Sequence, residues 1–192
     1  MNDNNKDSEI NKWILEYSGW DEKEHPLQEA LCALGNGYIV SRGALETEKG
    51  NGVNYPGTYL AGGYNRMKSM VQDREIENED LVNWPNWLPL NFRIGNEAWF
   101  SIKNTKVLAY STLLNIREGV LERKMRFKDK SGNITTIISR RIVSMEDYHC
   151  AGIEWTLIPE NWQGTITVRS GIDGNIINNN VDRYSDLNQD HI

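Results

Sequence analysis

The segment ALGNGYIVSRGALE, residues 33–46, has the residue types and spacing that most suggest chemistry, because glycines, an asparagine and an arginine interrupt an apolar run. Closely spaced glycines can form a loop that cradles a phosphate. A dinucleotide loop of this kind needs the pattern G-x-G-x-x-G after a strand and before a helix, whose first N–H groups bind the anion. The spacing here is Gly35-x-Gly37 and then Gly43, and YIVSRG after Gly37 is typical of a strand. We therefore exclude nucleotide binding.

The same segment instead predicts a structural bend. Glycine permits a positive φ angle or a close backbone approach, so Gly35 and Gly37 indicate a bulge or a bend in a strand. Arg42 is expected to pair with Glu46 or Glu48. The residues assigned to this structural motif, which we call the glycine motif, are Gly35, Asn36, Gly37, Arg42 and Gly43.

The histidines and cysteines do not have the spacing of a metal site. His25, His149 and His191 show no helical pairing, and neither Cys32 nor Cys150 has a second cysteine or a histidine at ligand spacing. His149 and Cys150 are neighbours, so in a strand they point to opposite faces, which disfavours a cysteine nucleophile. We expect two buried free thiols, with a disulfide between them as the less favoured alternative.

The acidic residues do not nominate a catalytic pair. Glycoside hydrolysis uses two carboxyl groups, one of which has a pKa raised by an apolar pocket. None of the 27 Asp and Glu residues has such a context. Asp182, Asp186 and Asp190 recur every four residues, which favours a solvated face over a calcium loop. The sequence therefore predicts no catalytic residue and no metal ligand.

The composition limits the classes of partner. Seven Trp and eight Tyr are consistent with a core or sheet role, or with a sugar site in which aromatic faces contact sugar rings. A net charge of −6 disfavours nucleic acid as a partner. No segment approaches the roughly 20 apolar residues of a membrane span. The polar N-terminus lacks the apolar region of a signal peptide, so we expect a cytoplasmic protein.

Alternating patterns predict the elements that position these residues. In VLERKMRF (120–127), Leu121, Arg123, Met125 and Phe127 share one face, and the opposite face is mostly charged. The segment KDKSGN predicts a hairpin turn before a returning strand, and further strand-like segments recur at short spacing with Gly, Asn and Pro between them. These patterns favour an all-β fold, a large antiparallel β-sandwich with at most short helices.

The remaining segments set the expected domain boundaries. Residues 1–10 are polar and are expected to be disordered, and residues 11–192 are expected to form one domain. Residues 43–80 are rich in Gly, Asn and charge, which predicts long loops with a short strand at 57–64. PLQEALCAL (26–34) fits either a helical turn or a strand. The sequence ends in an Asn-rich loop that does not close the domain, so we expect the natural protein to continue.

Several segments, taken in order, resemble the N-terminal region of glycoside hydrolase family 65, which contains maltose, trehalose and kojibiose phosphorylases and related hydrolases. DRYSDLNQDHI (182–192) also fits the loop that follows in such proteins. The segments that carry the resemblance are ALGNGYIVSRGALE (33–46), PGTYLAGGYNR (56–66), LVNWPNWLPLNFRIGNE (81–97), LLNIREGVLERKMRF (113–127), SRRIVSMEDYHCAGIEWTLIPENWQG (139–164) and SGIDGNIIN (170–178).

The resemblance implies a role in carbohydrate metabolism. Family members begin with an antiparallel super-sandwich, and a helical linker joins it to an (α/α)₆ barrel that holds the general-acid Glu and the phosphate or water site. No position here matches those residues, so we expect a non-catalytic N-terminal domain, inactive alone, whose partners are the barrel of the same polypeptide and an α-glucoside disaccharide. Inorganic phosphate would be the co-substrate of a phosphorylase, with no other cofactor. The alternative is a stand-alone carbohydrate-binding module.

The resemblance also suggests which aromatic residues face the barrel or a sugar. Loops of the N-terminal domain lie near the barrel's mouth in this family, whereas core packing is the plainer explanation for any Trp or Tyr. An incomplete sandwich would also leave a free strand edge near residues 164–178, so we expect a homodimer or another self-associated form. The barrel- or sugar-facing candidates are Tyr55, Tyr59, Tyr64, Trp84 and Trp87.

Overall fold

Strands dominate the protein, for which a computed structural model describes residues 12–178. One seven-residue helix and one 3₁₀ turn accompany the strands in this range, which confirms the all-β prediction. In chain order the elements are β1 (Ile14–Ser18), α1 (His25–Leu31), β2 (Leu34–Gly35), β3 (Ile39–Ser41), β4 (Thr58–Leu60), β5 (Tyr64–Val71), β6 (Arg74–Leu81), β7 (Leu90–Ile94), the 3₁₀ turn (Ile102–Asn104), β8 (Lys106–Asn115), β9 (Val120–Lys128), β10 (Ile134–Val143), β11 (Ala151–Pro159) and β12 (Ile166–Ser170).

The central element is a five-stranded antiparallel sheet with the strand order β1-β8-β9-β10-β11. The alternation predicted for β9 is confirmed, because Leu121, Arg123, Met125 and Phe127 are all buried on one face. The β9–β10 register places Arg123 opposite Ser139. The buried face of this sheet therefore carries charged and polar side chains among its apolar ones.

Two smaller sheets cover that buried face and form the second layer of the sandwich. The β7–β12 ribbon contributes Phe92, Ile94 and Ile166 to an apolar cluster with Met125 and Phe127 of the large sheet. The three-stranded sheet β2-β3-β4 lies over a second cluster, in which buried β2 and half-buried β3 side chains contact β8, β9 and β10. Burial of these clusters is the main stabilising contribution to the fold.

A long β-hairpin overturns part of the loop prediction for residues 43–80. Strands β5 and β6 pair over eight positions each. The turn between them has Gln72 and Asp73 with φ angles of 48° and 61°, which is the left-handed conformation of a two-residue hairpin turn. The sequence did not indicate this hairpin, because neither polar strand shows alternating hydrophobicity. The turn residues are Gln-Asp, whereas Asn-Gly is the usual sequence signal for such a turn.

The undecided PLQEALCAL segment forms α1, and Pro26 occupies its first turn, where the missing N–H costs nothing. The predicted disorder of residues 1–10 and the Asp182, Asp186 and Asp190 series lie outside the described residues. No helix within residues 12–178 is both long and apolar enough to cross a membrane.

Candidate functional site

Asn36 organises the turn at the start of the glycine motif. Its Oδ1 accepts hydrogen bonds from the backbone N–H groups of Tyr38 and Ile39, at 3.0 and 2.9 Å. Its Nδ2 donates to the carbonyls of Ser144 and Tyr148, on the loop between β10 and β11. Gly37 in the same turn has a φ of +85°, a value that favours glycine. The turn therefore fastens the small sheet to the large one.

Gly43 is needed for a close approach of two backbones. A Cβ atom at this position would lie 2.9 Å from the Cβ of Cys32 and 3.0 Å from its carbonyl oxygen. The N–H of Gly43 donates to the carbonyl of Glu29 in α1 at 2.9 Å. The glycine motif is therefore bound directly to the helix, and no cavity for a phosphate separates them.

Two buried arginines bind Glu46, which lies just after the glycine motif. Arg123 Nη1 donates to one carboxylate oxygen at 3.0 Å, and Arg141 Nη2 donates to the other at 2.5 Å. All three side chains are buried. The expected pairing of Arg42 with Glu46 or Glu48 is wrong. Arg123 of β9 and Arg141 of β10 bind the carboxylate of Glu46, and Arg42 lies near Glu29 instead.

The same two arginines hold the backbone of the motif. Arg123 Nη2 donates to the carbonyl of Gly43 at 2.7 Å. Arg141 donates to the carbonyls of Arg42 and Ala44 at 2.9 and 2.8 Å. Guanidinium groups can satisfy several acceptors at once because their donors form a rigid planar fork. We call Glu46, Arg123 and Arg141 the arginine–glutamate cluster, and its geometry fixes the motif on the sheet.

The electrostatics of the cluster exclude Glu46 as a general acid. Burial by itself raises the pKa of its carboxyl group, but Arg141 and Arg123 outweigh burial and lower that pKa to about 2. A general acid needs a pKa near the working pH. Glu46 stays ionised at ordinary pH, so its role is structural.

A second buried carboxylate, which sequence reasoning also missed, belongs to Glu29 of α1. Glu29 is fully buried and accepts a 3.0 Å hydrogen bond from the N–H of Tyr55. His25 Nε2 lies 3.2 Å from one of its oxygens, and Arg42 Nη2 lies 3.8 Å from the other. The expectation that His25 has no helical pairing is wrong, because His25 and Glu29 are spaced i, i+4 on α1, and this spacing was the available sequence signal. Glu29 thus joins the helix, the glycine motif and the loop at Tyr55.

Two of the candidate aromatics gather around Arg42. Its guanidinium carbon lies 5.3 Å from the ring centroid of Tyr55, a cation–π distance. A Cβ on Gly57 would meet the Arg42 side chain at 2.5 Å and the Tyr59 ring at 2.9 Å. Burial and then the neighbouring Tyr55 raise the pKa of Tyr59. The hydroxyl of Tyr55 donates to the carbonyl of Ile177 at 3.2 Å, so this pair lies near the last described residues.

The three remaining candidates follow β4 in the chain. Trp84 donates its backbone N–H to the carbonyl of Thr58 at 2.8 Å, and its Nε1 would lie 2.6 Å from a Cβ on Gly63. Tyr64 follows that glycine and is 60% exposed. Trp87 is half-buried, and its Nε1 and that of Trp84 have no hydrogen-bond partner among the described residues. The structure thus brings Trp84 close to the start of the β5–β6 hairpin.

The cysteines and histidines that the structure describes form no metal centre. Within residues 12–178, no group of three or more His, Cys, Asp or Glu side chains could hold a metal ion. Cys32 and Cys150 are both free, which excludes the disulfide. The expected burial of Cys150 is wrong, because it lies exposed at the end of the loop between β10 and β11. His149 in that loop contacts the ring of Tyr38, with centroids 4.7 Å apart.

A cleft of about 340 Å³ lies beside Trp99, away from all the residues that the sequence nominated. Residues 97–101, which belong to no helix or strand, form an irregular wall of this cleft. The other walls come from β7, β9 and the turn between β9 and β10. The volume falls within the range of small-molecule sites. We call this feature the Trp99 cleft.

Comparison with known proteins identifies the family. A family profile described as "Glycosyl hydrolase family 65, N-terminal domain" matches residues 15–192. The chain belongs to this family. The family 65 resemblance stated from the sequence motifs is therefore confirmed.

Relatives of this family 65 domain include proteins with named activities. It is 40% identical over 180 residues to an uncharacterized glycosyl hydrolase of Mycobacterium tuberculosis (strain CDC 1551 / Oshkosh), covering 94% of this chain and 14% of that protein. It is 30% identical over 176 residues to the kojibiose phosphorylase of Halothermothrix orenii, covering 92% of this chain and 21% of that protein. The domain thus spans about a fifth or less of the length of these curated relatives.

A solved structure supports the fold. The structure named "Putative kojibiose phosphorylase from human microbiome" superposes with a TM-score of 0.73 at 18% sequence identity, covering 83% of this chain and 21% of that chain. At this identity the similarity concerns the architecture alone. It agrees with the two-layer arrangement described above.

Proposed function

We propose that the family 65 domain is the non-catalytic N-terminal part of a longer carbohydrate-active enzyme, an inverting glycosidase or a disaccharide phosphorylase that acts on α-linked glucosides. In this proposal it supports the catalytic barrel of the same polypeptide and shapes its mouth. The observation that carries the proposal is the commitment of both buried carboxylates, Glu29 and Glu46, to structural partners. Neither is available for acid–base chemistry on a sugar.

The reaction would then take place outside this domain. If the whole enzyme is a phosphorylase, as the names of several relatives suggest, inorganic phosphate is its co-substrate and no metal is required. We place the enzyme in the cytoplasm, where phosphate and soluble disaccharides are both available.

The candidate aromatic residues are the proposed contact with the barrel or with its sugar. Tyr64 and Trp84 are the strongest members of the candidate set, because Tyr64 is largely exposed and the buried Nε1 of Trp84 has no partner among the described residues. Tyr55, Tyr59 and Trp87 belong to the same proposal. Another domain or a hydroxyl-rich ligand could accept a hydrogen bond from Nε1 of Trp84 and pack against the exposed ring of Tyr64.

The first test is an activity assay of this chain alone. It is incubated with maltose, trehalose and kojibiose, with and without inorganic phosphate, and released glucose and glucose phosphate are measured. We expect no turnover with any substrate. Turnover that survives repurification would contradict the proposal, because the catalytic groups would then have to lie in this chain.

The second test uses a chimera in which this chain replaces the matching 176 residues of the Halothermothrix orenii kojibiose phosphorylase. We expect Tyr64→Ala to lower kcat/KM for kojibiose several-fold relative to the unmodified chimera. Met70→Ala is the matched control, because Met70 is 67% exposed on the same hairpin. Equal kcat/KM values for the two variants would contradict the proposed contact.

A further part of the proposal is self-association. Strand β12 pairs only with β7 within the described residues, so its other edge is open. Val168 and Ile172 beside this edge are 52% and 76% exposed. Open edges with apolar side chains favour pairing with a second copy.

A further inference from the structure

We propose that the Trp99 cleft is a carbohydrate-binding site for a neutral glucosyl saccharide, separate from the surface formed by the candidate aromatics. This inference rests on the proposed function, since it assigns a saccharide of the same class to a second place on the domain. It gives the non-catalytic domain a binding role of its own.

The floor of the cleft is aromatic and belongs to the core. Three phenylalanines line it, Phe92, Phe100 and Phe127. The ring centroid of Phe92 lies 5.4 Å from that of Phe100 and 6.3 Å from that of Phe127, and the last two centroids are 4.6 Å apart. All three are buried, so the floor is fixed by packing before any ligand arrives. Ile94 adds an aliphatic wall. Because these rings are almost fully buried, the apolar face that the C–H face of a pyranose ring can contact is that of half-buried Trp99, which this floor supports.

The rim of the cleft offers both donors and acceptors, as a sugar with several hydroxyl groups requires. Glu97, Lys130 and Asn104 line the rim with exposed side chains. Ser131 donates to one oxygen of Glu97 at 2.8 Å, which leaves the other oxygen free to accept from a ligand. The contacts of Glu97 and Ser131 also hold the rim in one arrangement.

The charges of the residues that line the cleft balance, which favours a neutral ligand, and Arg169, which stacks on Trp99, lines a neighbouring cleft instead. Arg93 and Lys130 contribute two positive charges, and Glu97 and Asp129 contribute two negative charges. Asp129 is already engaged, because its carboxylate accepts from the backbone and side chain of Asn133 at 2.8 and 3.0 Å. An anionic ligand would gain little from this arrangement.

Trp99 is held in place by two arginines. The guanidinium carbon of Arg169 lies 4.3 Å from its ring centroid, and that of Arg93 lies 5.2 Å away. The β7–β12 register pairs Arg93 with Thr167, so Arg93 and Arg169 project from the same face of the ribbon. Neither arginine has an ion-pair partner within residues 12–178. They fix the indole as a rigid wall, and a preorganised wall lowers the entropic cost of binding.

The test is a titration of this chain with glucose, maltose, trehalose, kojibiose and glucose 1-phosphate, followed by backbone amide and indole N–H signals in NMR spectra of ¹⁵N-labelled protein. We expect saturable, millimolar or tighter binding that shifts the Trp99 signal. Trp99→Ala should weaken binding at least tenfold. Trp13→Ala is the matched control, because Trp13 is 47% exposed and precedes β1, and it should leave affinity unchanged.

A second variant keeps the proposal testable if Trp99→Ala unfolds. Glu97→Ala removes one exposed rim acceptor and should weaken binding several-fold while the thermal midpoint stays constant. Flat titrations with all four saccharides would overturn the inference, as would binding that neither variant weakens, or binding of glucose 1-phosphate alone. The inference can fail in these ways while the chain remains inactive as an enzyme, whereas turnover by this chain would overturn the proposed non-catalytic role.

Discussion

Glu46 accepts a 3.0 Å hydrogen bond from Arg123 although 77 positions separate them in the sequence. The pair ties the segment after the glycine motif to the centre of strand β9. Arg141 on the neighbouring strand completes the carboxylate's coordination. Three charged side chains are thus buried together, and their mutual pairing is what makes their burial tolerable.

Replacing Glu46 with Gln should strongly destabilise the domain. The substitution leaves two buried guanidinium groups without a countercharge, and breaking a buried ion pair in this way typically costs about 3 kcal/mol or more. Urea unfolding followed by Trp fluorescence measures the loss. Glu79→Gln is the control, since it removes the exposed partner of Arg66 and should change stability little. Equal effects of the two substitutions would contradict the structural role of the cluster.

The stability of the domain should depend on Glu46 in acid. Its pKa is lowered from 4.5 to about 2 in the folded state, so its contribution is fully present above about pH 4.5 and is lost as the pH falls through 2. The shift corresponds to roughly 3 kcal/mol. We expect the difference in unfolding free energy between the wild type and Glu46→Gln to shrink between pH 4.5 and 2. A constant difference across that range would show that folding does not lower the pKa of this carboxyl group.

Gly43→Ala should destabilise the domain by about 1–3 kcal/mol, because the added methyl group must displace the backbone of Cys32. Gly174→Ala is the matched control, since nothing lies within 4 Å of a Cβ there. Thermal unfolding of both variants measures the contrast. If Gly43→Ala unfolds at the same temperature as the control, the close approach of the motif to α1 is not required.

The two cysteines should differ in reactivity. Cys150 is exposed and Cys32 is buried, so a disulfide reagent should titrate one thiol in the native protein and the second only after unfolding. The hydrogen bond to Asp147 and that residue's charge raise the pKa of Cys150. Asp147→Asn should therefore lower this pKa and speed the reaction of Cys150 near pH 8. Two fast thiols in the native protein would contradict the burial of Cys32.

The open edge of β12 should make the chain self-associate. Light scattering at micromolar concentration should report a mass near twice the 22.1 kDa of one chain. Val168→Lys should restore the monomer, because an exposed lysine disfavours edge pairing. Met70→Lys, on an exposed position of the hairpin, is the control and should leave the dimer intact. A monomeric wild type would contradict this proposal.

Sequence reasoning succeeded where local pattern and burial agree. The alternation in 120–127 predicted both the strand β9 and its buried face, and KDKSGN predicted its turn. It failed for the β5–β6 hairpin, because cross-strand ion pairs such as that of Lys68 with Glu75 stabilise strands whose composition is typical of loops. Periodicity reports burial, and a hairpin exposed on much of its surface gives little periodic signal.

Local spacing and the order of motifs along the chain were enough to predict the fold class and the family. The binding of Glu46 by Arg123 and Arg141, the contact of Arg42 with Glu29 and the cleft beside Trp99 could be seen only in the tertiary structure. These contacts join residues from distant strands, and their partners are chosen by strand register and sheet packing. The sequence around a charged residue does not indicate its ion-pair partner. The electrostatic attraction that favours one partner becomes strong only when both side chains are buried together at low dielectric.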